Sequence, residues 1–392
     1  MQTIPTTGSY PTDKLRSDSL NLLRFPLAVV VLTAHIWPTD SFVLQGTSYA
    51  TDAFPLFQFI SRCFSGFLRG QSVPIYYFIS GYVFFAGVSL TKDVFKRKLQ
   101  NRIKTLLVPY IIWNLMAAFV VIFVNCFLFP LFSSHLPRFV QPQVNFSFAA
   151  FLSIFWDASH GFFCPEVSSA TDLTSHSIYP QDLPLWFLRE LIIVVLFTPL
   201  IGILLKHIRS GIPCLLGITW FACAYFELGY MNQLLTAFFF FSWGAYISIN
   251  RKDMLAEFGR HARSSVVLYA LLGTLHVAAA YCLPDACPTI KRLNIIVGLY
   301  FGYNLAAWLL KRGICRPNPF LASSSFFIYV SHWLVFGYVI SLCRRFVTVP
   351  TSGSLLASYL LTVLLTVALL LAAFAFMQRH APALLRIMTG RK

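Results

Sequence analysis

"RFPLAVVVLTAHI" (residues 24–36) places an arginine and a histidine in a segment apolar enough to cross a membrane. Arg24 and His35 are separated by eleven positions, about three turns of an α-helix, so both lie on one face roughly 16 Å apart along the axis. Asn21, Ala28 and Val31 share that face, which gives a small, polar seam between Leu27, Val29, Val30 and Leu32. Pro26 falls early in the segment, where proline is tolerated or bends the helix. An ionisable residue inside a membrane costs about 2.5–3.5 kcal/mol on insertion scales, so a functional reading is the default. A plainer reading remains open from this segment alone. In it Arg24 snorkels to one interface and His35 sits at the other.

The rest of the chain sets the class. Of 392 residues, 57% are hydrophobic and only 11% charged, far below the roughly 25% charged residues of soluble proteins. Mean hydropathy is +0.69. These values predict an all-α integral membrane protein. The net charge of +16 would suggest nucleic acid in a soluble chain. Here the basic residues form short clusters between apolar runs, so nucleic acid is not expected and the charge reads as topology. The first apolar run starts near Leu20 and lacks a small-residue cleavage site, so no signal peptide is expected.

A span needs about 20 mostly apolar residues. Windows of that kind predict a bundle of about ten transmembrane helices, at 20–38, 73–90, 103–130, 184–205, 213–229, 232–250, 265–283, 293–310, 319–341 and 354–377. Residues 54–70, broken by Arg62 and Arg69, read as interfacial or re-entrant. Alternate loops are basic (91–104, 206–209, 251–263, 311–316), which puts these loops and both termini on the cytoplasmic side. The loop 131–183 holds Arg138 against Asp157, Glu166, Asp172 and Asp182 and is expected outside. Lys291, Arg292, Arg344 and Arg345 run against this pattern. The expected organisation is a cytoplasmic tail (1–19), one transmembrane domain (20–380) and a second cytoplasmic tail (381–392). No internal repeat appears. Nine cysteines are scattered without a CxxC pair, and Cys282 and Cys287 can pair only if their loop faces an oxidising side.

Polar residues recur inside other spans. Trp186, Arg189 and Glu190 share a face by i, i+3, i+4 spacing, which suits a lined site or an interfacial anchor with a local ion pair. Ser80 and Gly81 make a small-residue notch for helix packing. Ser325, Tyr329 and His332 fall on one stripe. The basic run "KRKLQNRIK" (96–104) is topogenic and can also hold phosphates. No HExxH, phosphate-loop, GxSxG or GxGxxG pattern is present, and no metal is expected.

Five pieces together resemble one family. They are "LNLLRFPLAVVVLTAHI" (20–36), "YYFISGYVFF" (76–85), "RIKTLLVPY" (102–110), "LWFLREL" (185–191) and "FFIYVSHWLV" (326–335). In this order they are similar to the acyltransferase-3 group of multispanning membrane acyltransferases, over about residues 18–380. The family's helix 3 often carries two arginines three apart; here Arg102 is followed by Thr105, with Lys104 the nearest base. The resemblance implies a membrane-bound O-acyltransferase. It would take an acyl group, acetyl being the expected case, from cytoplasmic acyl-CoA. It would pass the group to a hydroxyl of a cell-surface glycan or lipid-linked sugar, at a bacterial inner membrane. It implies that His35 is catalytic with Arg24 beside it, that Arg24, Arg102 and Lys104 hold the donor, and that Ser80, Trp186, Arg189, Glu190, Tyr329 and His332 line the substrate site. Direct transfer and a covalent acyl-histidine both remain open. The rival class is a multispanning transporter using the buried Arg and His, although paired broken helices and repeat symmetry are not seen.

Overall fold

The computed structural model describes residues 12–38, 40–87, 91–124, 127, 147–158, 178–226, 228–282 and 287–391. The chain is overwhelmingly helical. Helix α1 (Thr12–Ile36) runs unbroken through Pro26. A short antiparallel hairpin follows, β1 (Ser41–Leu44) with β2 (Thr47–Ala50). Its two-residue turn has Gln45 at φ 51° and Gly46 at φ 82°, the positive-φ pair that matches strand twist. Next come α2 (Pro55–Phe64), a π-helical turn (Ser65–Arg69) and α3 (Ser72–Phe85). A second π turn (Ile103–Leu107) joins α4 (Lys92–Arg102) to α5 (Val108–Phe123). The short α6 (Phe148–Ser153) precedes α7 (Trp186–Leu196) and α8 (Thr198–His207). Then follow α9 (Gly211–Ala222), α10 (Tyr230–Ile249), the short α11 (Met254–Gly259), α12 (Ala262–Cys282), α13 (Cys287–Lys311), α14 (Pro319–Arg345), α15 (Ser352–His380) and α16 (Pro382–Thr389).

Each of the ten predicted spans overlaps a helix or a bent helix pair, but fewer qualify as crossings by length and apolarity. Among the described residues six helical stretches do: 12–36, 92–123, 262–282, 287–311, 319–345 and 352–380. The pair Leu183–Leu196 and Thr198–His207 makes a seventh if its 60° bend lies within one span. Pro199 follows directly on that bend and cannot supply the backbone donor that would carry the helix through. Helix α3, with 14 residues, is shorter than a bilayer crossing. Within the segment 54–70, residues 55–69 are helical and lead into α3.

Helix α1 is the hub. It packs against α13 and α14 and also touches α3 and α15. Its inner face is Leu20, Leu27, Ala28, Val31 and Leu32, all buried. The tightest helix pair is α3 with α10. A Cβ on Gly81 would lie 2.0 Å from the Phe241 carbonyl oxygen, and one on Gly244 would lie 2.0 Å from that of Phe78. Two glycines, one from each helix, thus let the backbones touch, as the Ser80–Gly81 notch predicted for its own side.

Two of the basic residues that oppose the loop charge pattern hold structural hydrogen bonds, and a third lines a cavity. Arg344 donates to the Val43 carbonyl (2.9 Å) and the Tyr359 hydroxyl (2.6 Å), so it fastens the hairpin to α14 and α15. Arg292 donates to Asn232 Oδ1 (2.9 Å) and the Cys223 carbonyl (3.3 Å). Lys291 reaches the cavity described next. Cys282 and Cys287 are both free thiols.

Candidate functional site

The last turn of α1 brings His35 to the wall of a cavity of about 590 Å³. Val31 and Ala34 from the same helix line it too, so the small seam read from the sequence opens there. The π turn after α2 contributes Ser65 and Arg69, and α2 itself contributes Arg62. Helices α12 and α13 add His276 and Lys291. The approach to α7 supplies Tyr179, Leu183, Pro184 and Trp186, and α14 supplies Tyr329.

The imidazole of His35 is held between two rings of α14. His332 lies 5.4 Å away between centroids and Trp333 stands edge-on at 5.6 Å. His332 is fully buried. Its Nδ1 faces two carbonyls, Tyr329 O at 2.8 Å and Ile328 O at 3.1 Å. Carbonyls only accept, so this network assigns the proton to Nδ1 and leaves Nε2 as an acceptor. That Nε2 is buried with no hydrogen-bond partner. An unprotonated ring nitrogen on the neighbour of His35 suits it to receive a hydrogen bond and fix a tautomer.

The other predicted residues fall in different places. Trp186 and Tyr329 line the cavity with His35, and the Tyr329 hydroxyl donates to the Pro184 carbonyl, tying α14 to the segment before α7. Arg189 and Glu190 do not line it. Arg189, 3% exposed, donates to Glu190 Oε1 (2.8 Å), the Ile178 carbonyl (3.0 Å) and the Trp156 carbonyl. Its task here is to clamp the backbone that flanks the cavity wall at Tyr179. Ser325 returns its hydroxyl to Leu321 O (2.9 Å) in its own helix. Ser80 does not line the cavity; its neighbour Gly81 is the one that meets α10. Of the acidic residues in loop 131–183, Asp157 and Asp182 are described; Glu166 and Asp172, like His160 and His176, lie outside the described residues. Asp182 is fully buried with both carboxylate oxygens lacking hydrogen-bond partners, and burial pushes its carboxyl well above the usual range.

Arg24 sits three turns away and does not line the cavity. Its carbonyl accepts from Tyr76 (2.6 Å). Near it lies Arg391, from the chain just after α16. Burial, then the charge of Arg24, presses the Arg391 guanidinium below its ordinary value. A second basic pair, Lys98 and Arg102, lies over the Phe84 ring at 5.1 and 5.7 Å. Lys104 is exposed. Arg391 also donates to the Ser323 carbonyl and lies over the Phe374 ring at 5.3 Å. Among the described residues no group of three or more His, Cys, Asp and Glu side chains could hold a metal ion.

Comparison with known families decides the class: a model described as an acyltransferase domain matches residues 17–377. The chain belongs to the acyltransferase-3 family. It is thus a multi-pass integral membrane protein of an acyltransferase family, and the match covers every cavity-lining residue named above. No curated protein and no solved structure matches the chain.

Four cavity residues were missed in the sequence: Arg62, Arg69, His276 and Lys291. The signals were there. Two were arginines breaking an apolar stretch, and one was a lysine on the wrong side of the charge pattern.

Proposed function

We propose that this acyltransferase-3 protein moves an acyl group, acetyl being the expected case, from acyl-CoA to a hydroxyl of a glycan or lipid-linked sugar. The observation that carries the reading is the position of His35: on the wall of a cavity large enough for a sugar ring, at one end of a helix whose other functional group is Arg24. Arg24 and Arg391, with Lys98 and Arg102, would hold the phosphates of the donor. The loop charge pattern supports placing that end in the cytoplasm.

In this reading the acceptor hydroxyl attacks the thioester carbonyl. His35 takes the hydroxyl proton as the C–O bond forms, the C–S bond breaks, and CoA leaves as a thiolate that recovers the proton through His35 or water. His332 orients the His35 ring. A guanidinium near the carbonyl would stabilise the developing oxyanion. The alternative, an acyl-histidine carried at His35, uses the same residue as nucleophile.

The test uses purified protein in nanodiscs with labelled acetyl-CoA and a panel of glycans. His35→Ala should abolish label transfer while the protein keeps its elution profile and helical circular dichroism. Transfer that survives this substitution overturns the assignment. Label retained on the wild-type protein before acceptor is added marks the covalent route. Solute flux without CoA turnover would make the protein a transporter.

A further inference from the structure

Residues 382–391 fold back onto the bundle, and their local sequence is built for it. Ala381, at φ −139° and ψ 51°, breaks the helix between α15 and α16. Pro382 takes the first position of α16, where its missing N–H is not needed. Gly390 ends α16 in the left-handed region, at φ 63° and ψ 25°. Its N–H donates to the Ile387 carbonyl (3.3 Å) and that of Arg391 to the Arg386 carbonyl (2.9 Å). These are the two bonds of a Schellman stop, which fixes the direction in which Arg391 leaves the helix.

The segment is seated on three helices, α5, α14 and α15. Trp113 of α5 donates its Nε1 proton to the Met388 carbonyl (2.9 Å). Arg391 donates to the Ser323 carbonyl of α14 and lies over the Phe374 ring of α15. Between these two fastenings Gly390 meets Thr105, the middle residue of the second π turn. A Cβ at Gly390 would lie 2.4 Å from the Thr105 carbonyl oxygen and 2.6 Å from its Cα. Backbone rests on backbone, so a side chain is excluded twice, by the space and by the dihedral.

That turn joins α4 to α5, and Arg102 is the last residue of α4. One residue of helical winding is a rotation of about 100°. Holding the turn at Thr105 therefore sets the direction in which Arg102 faces. The same segment brings Arg391 beside Arg24. We propose that residues 382–391 are a strap that positions the donor site: Gly390 locks the turn that aims Arg102, while Trp113 and the Ser323 carbonyl hold the strap in place. The donor role rests on the acyl-CoA reading of this end of the bundle; the hold on the turn stands on geometry of its own. Gly390 and Trp113 touch no reacting atom and act as positioning residues.

The experiment uses the full chain in nanodiscs and reads amide exchange and equilibrium binding of labelled acetyl-CoA. Gly390→Val drives a branched side chain into the Thr105 backbone. Trp113→Phe keeps a ring against Phe327 and removes the bond to Met388. In both, exchange within 103–107 should speed up, at least tenfold in Gly390→Val, while exchange within 31–36 at the cavity stays as in the wild type. The Kd for acetyl-CoA should rise at least fivefold in Gly390→Val and by a smaller factor in Trp113→Phe. With the best acceptor of the glycan panel, KM for the donor should rise with Kd while kcat at saturating donor stays within twofold, which separates positioning from general loosening. Unchanged exchange at 103–107 in both variants overturns the strap. Faster exchange there with an unchanged Kd, or with kcat lost as much as donor affinity, overturns its role at the donor site. If Gly390→Val does not assemble, Trp113→Phe decides by the same readouts. A wild type that binds no acetyl-CoA is a different failure: the acyl-transfer reading falls and the donor role with it, and exchange still decides whether Gly390 holds the turn.

Discussion

Arg189 and Glu190 offer the sharpest measurement of what holds the cavity wall in place. The pair is buried, with side chains 4% and 0% exposed, and joined at 2.8 Å. Arg189 also donates to the Ile178 and Trp156 carbonyls, whereas Glu190 Oε2 has no partner. The two single substitutions are therefore unequal. Arg189→Gln removes three charged hydrogen bonds and strands a carboxylate in the interior, at a cost of about 3–5 kcal/mol. Glu190→Gln leaves Arg189 with both carbonyls and an amide oxygen to bond, and should cost about 1–2 kcal/mol. The double variant no longer strands a charge, so it should be less destabilised than the two singles added together, by about 2 kcal/mol. Unfolding of the four proteins by denaturant titration in one fixed micelle composition gives the cycle. Equal single costs with strict additivity would refute the clamp, because they would mean that the charges do not feel each other and that the carbonyl bonds carry nothing.

Other expectations follow from the same geometry. Gly81→Val should prevent stable folding or cost at least about 3 kcal/mol, since its first side-chain atom would overlap the Phe241 carbonyl; detergent-resistant expression of the variant would contradict the α3–α10 contact. His332→Phe should lower kcat by about tenfold to a hundredfold with little change in KM, and His332→Gln should recover part of it, as expected of a residue that positions His35; an equal loss in both variants would contradict that role. The raised carboxyl of Asp182 means that its folded form holds a proton the unfolded chain releases. Its contribution to stability is therefore greatest in acid and falls as pH rises above the ordinary carboxylate value toward the folded one. Asp182→Asn should gain on the wild type across that window, read as the difference in apparent Tm between pH 4 and pH 8; a constant difference would show that Asp182 does not titrate with folding.

Much of the frame was legible in the sequence because a helix repeats every 3.6 residues. That period put Arg24 and His35 on one face, and the cavity opens along it at Val31, Ala34 and His35. The same arithmetic brought Tyr329 and His332 together on α14. Span counting did less well, since apolar windows report helices but not whether a helix is long or straight enough to cross: α3 is short, and the chain bends between Leu196 and Thr198. The hairpin was missed although "LQGT" (44–47) places glycine in a two-residue turn between alternating strands. The cationic wall was beyond periodicity. Arg62 and Lys291 are far apart in the chain; α2 packs on α12, and α12 pairs with α13, the helix that carries Lys291. Arg189 was legible as an ion pair, but the carbonyls it holds were not, because the backbone of Trp156 and Ile178 carries no sequence signal.

The two π turns give the chain a dependence on length that its side chains do not reveal. Each winds one residue more into a turn than an α-helix does. One lies between Arg62 and Ser72 at the cavity, and the other follows Arg102. Losing a single residue within Ser65–Arg69 would let the helix rewind evenly, at the cost of rotating everything beyond it by about 100°. Arg62 would stay against Tyr281 while Arg69 swung off the wall. At these two places a deletion acts as a rotation: the number of residues, more than their identity, sets which charges face the same space.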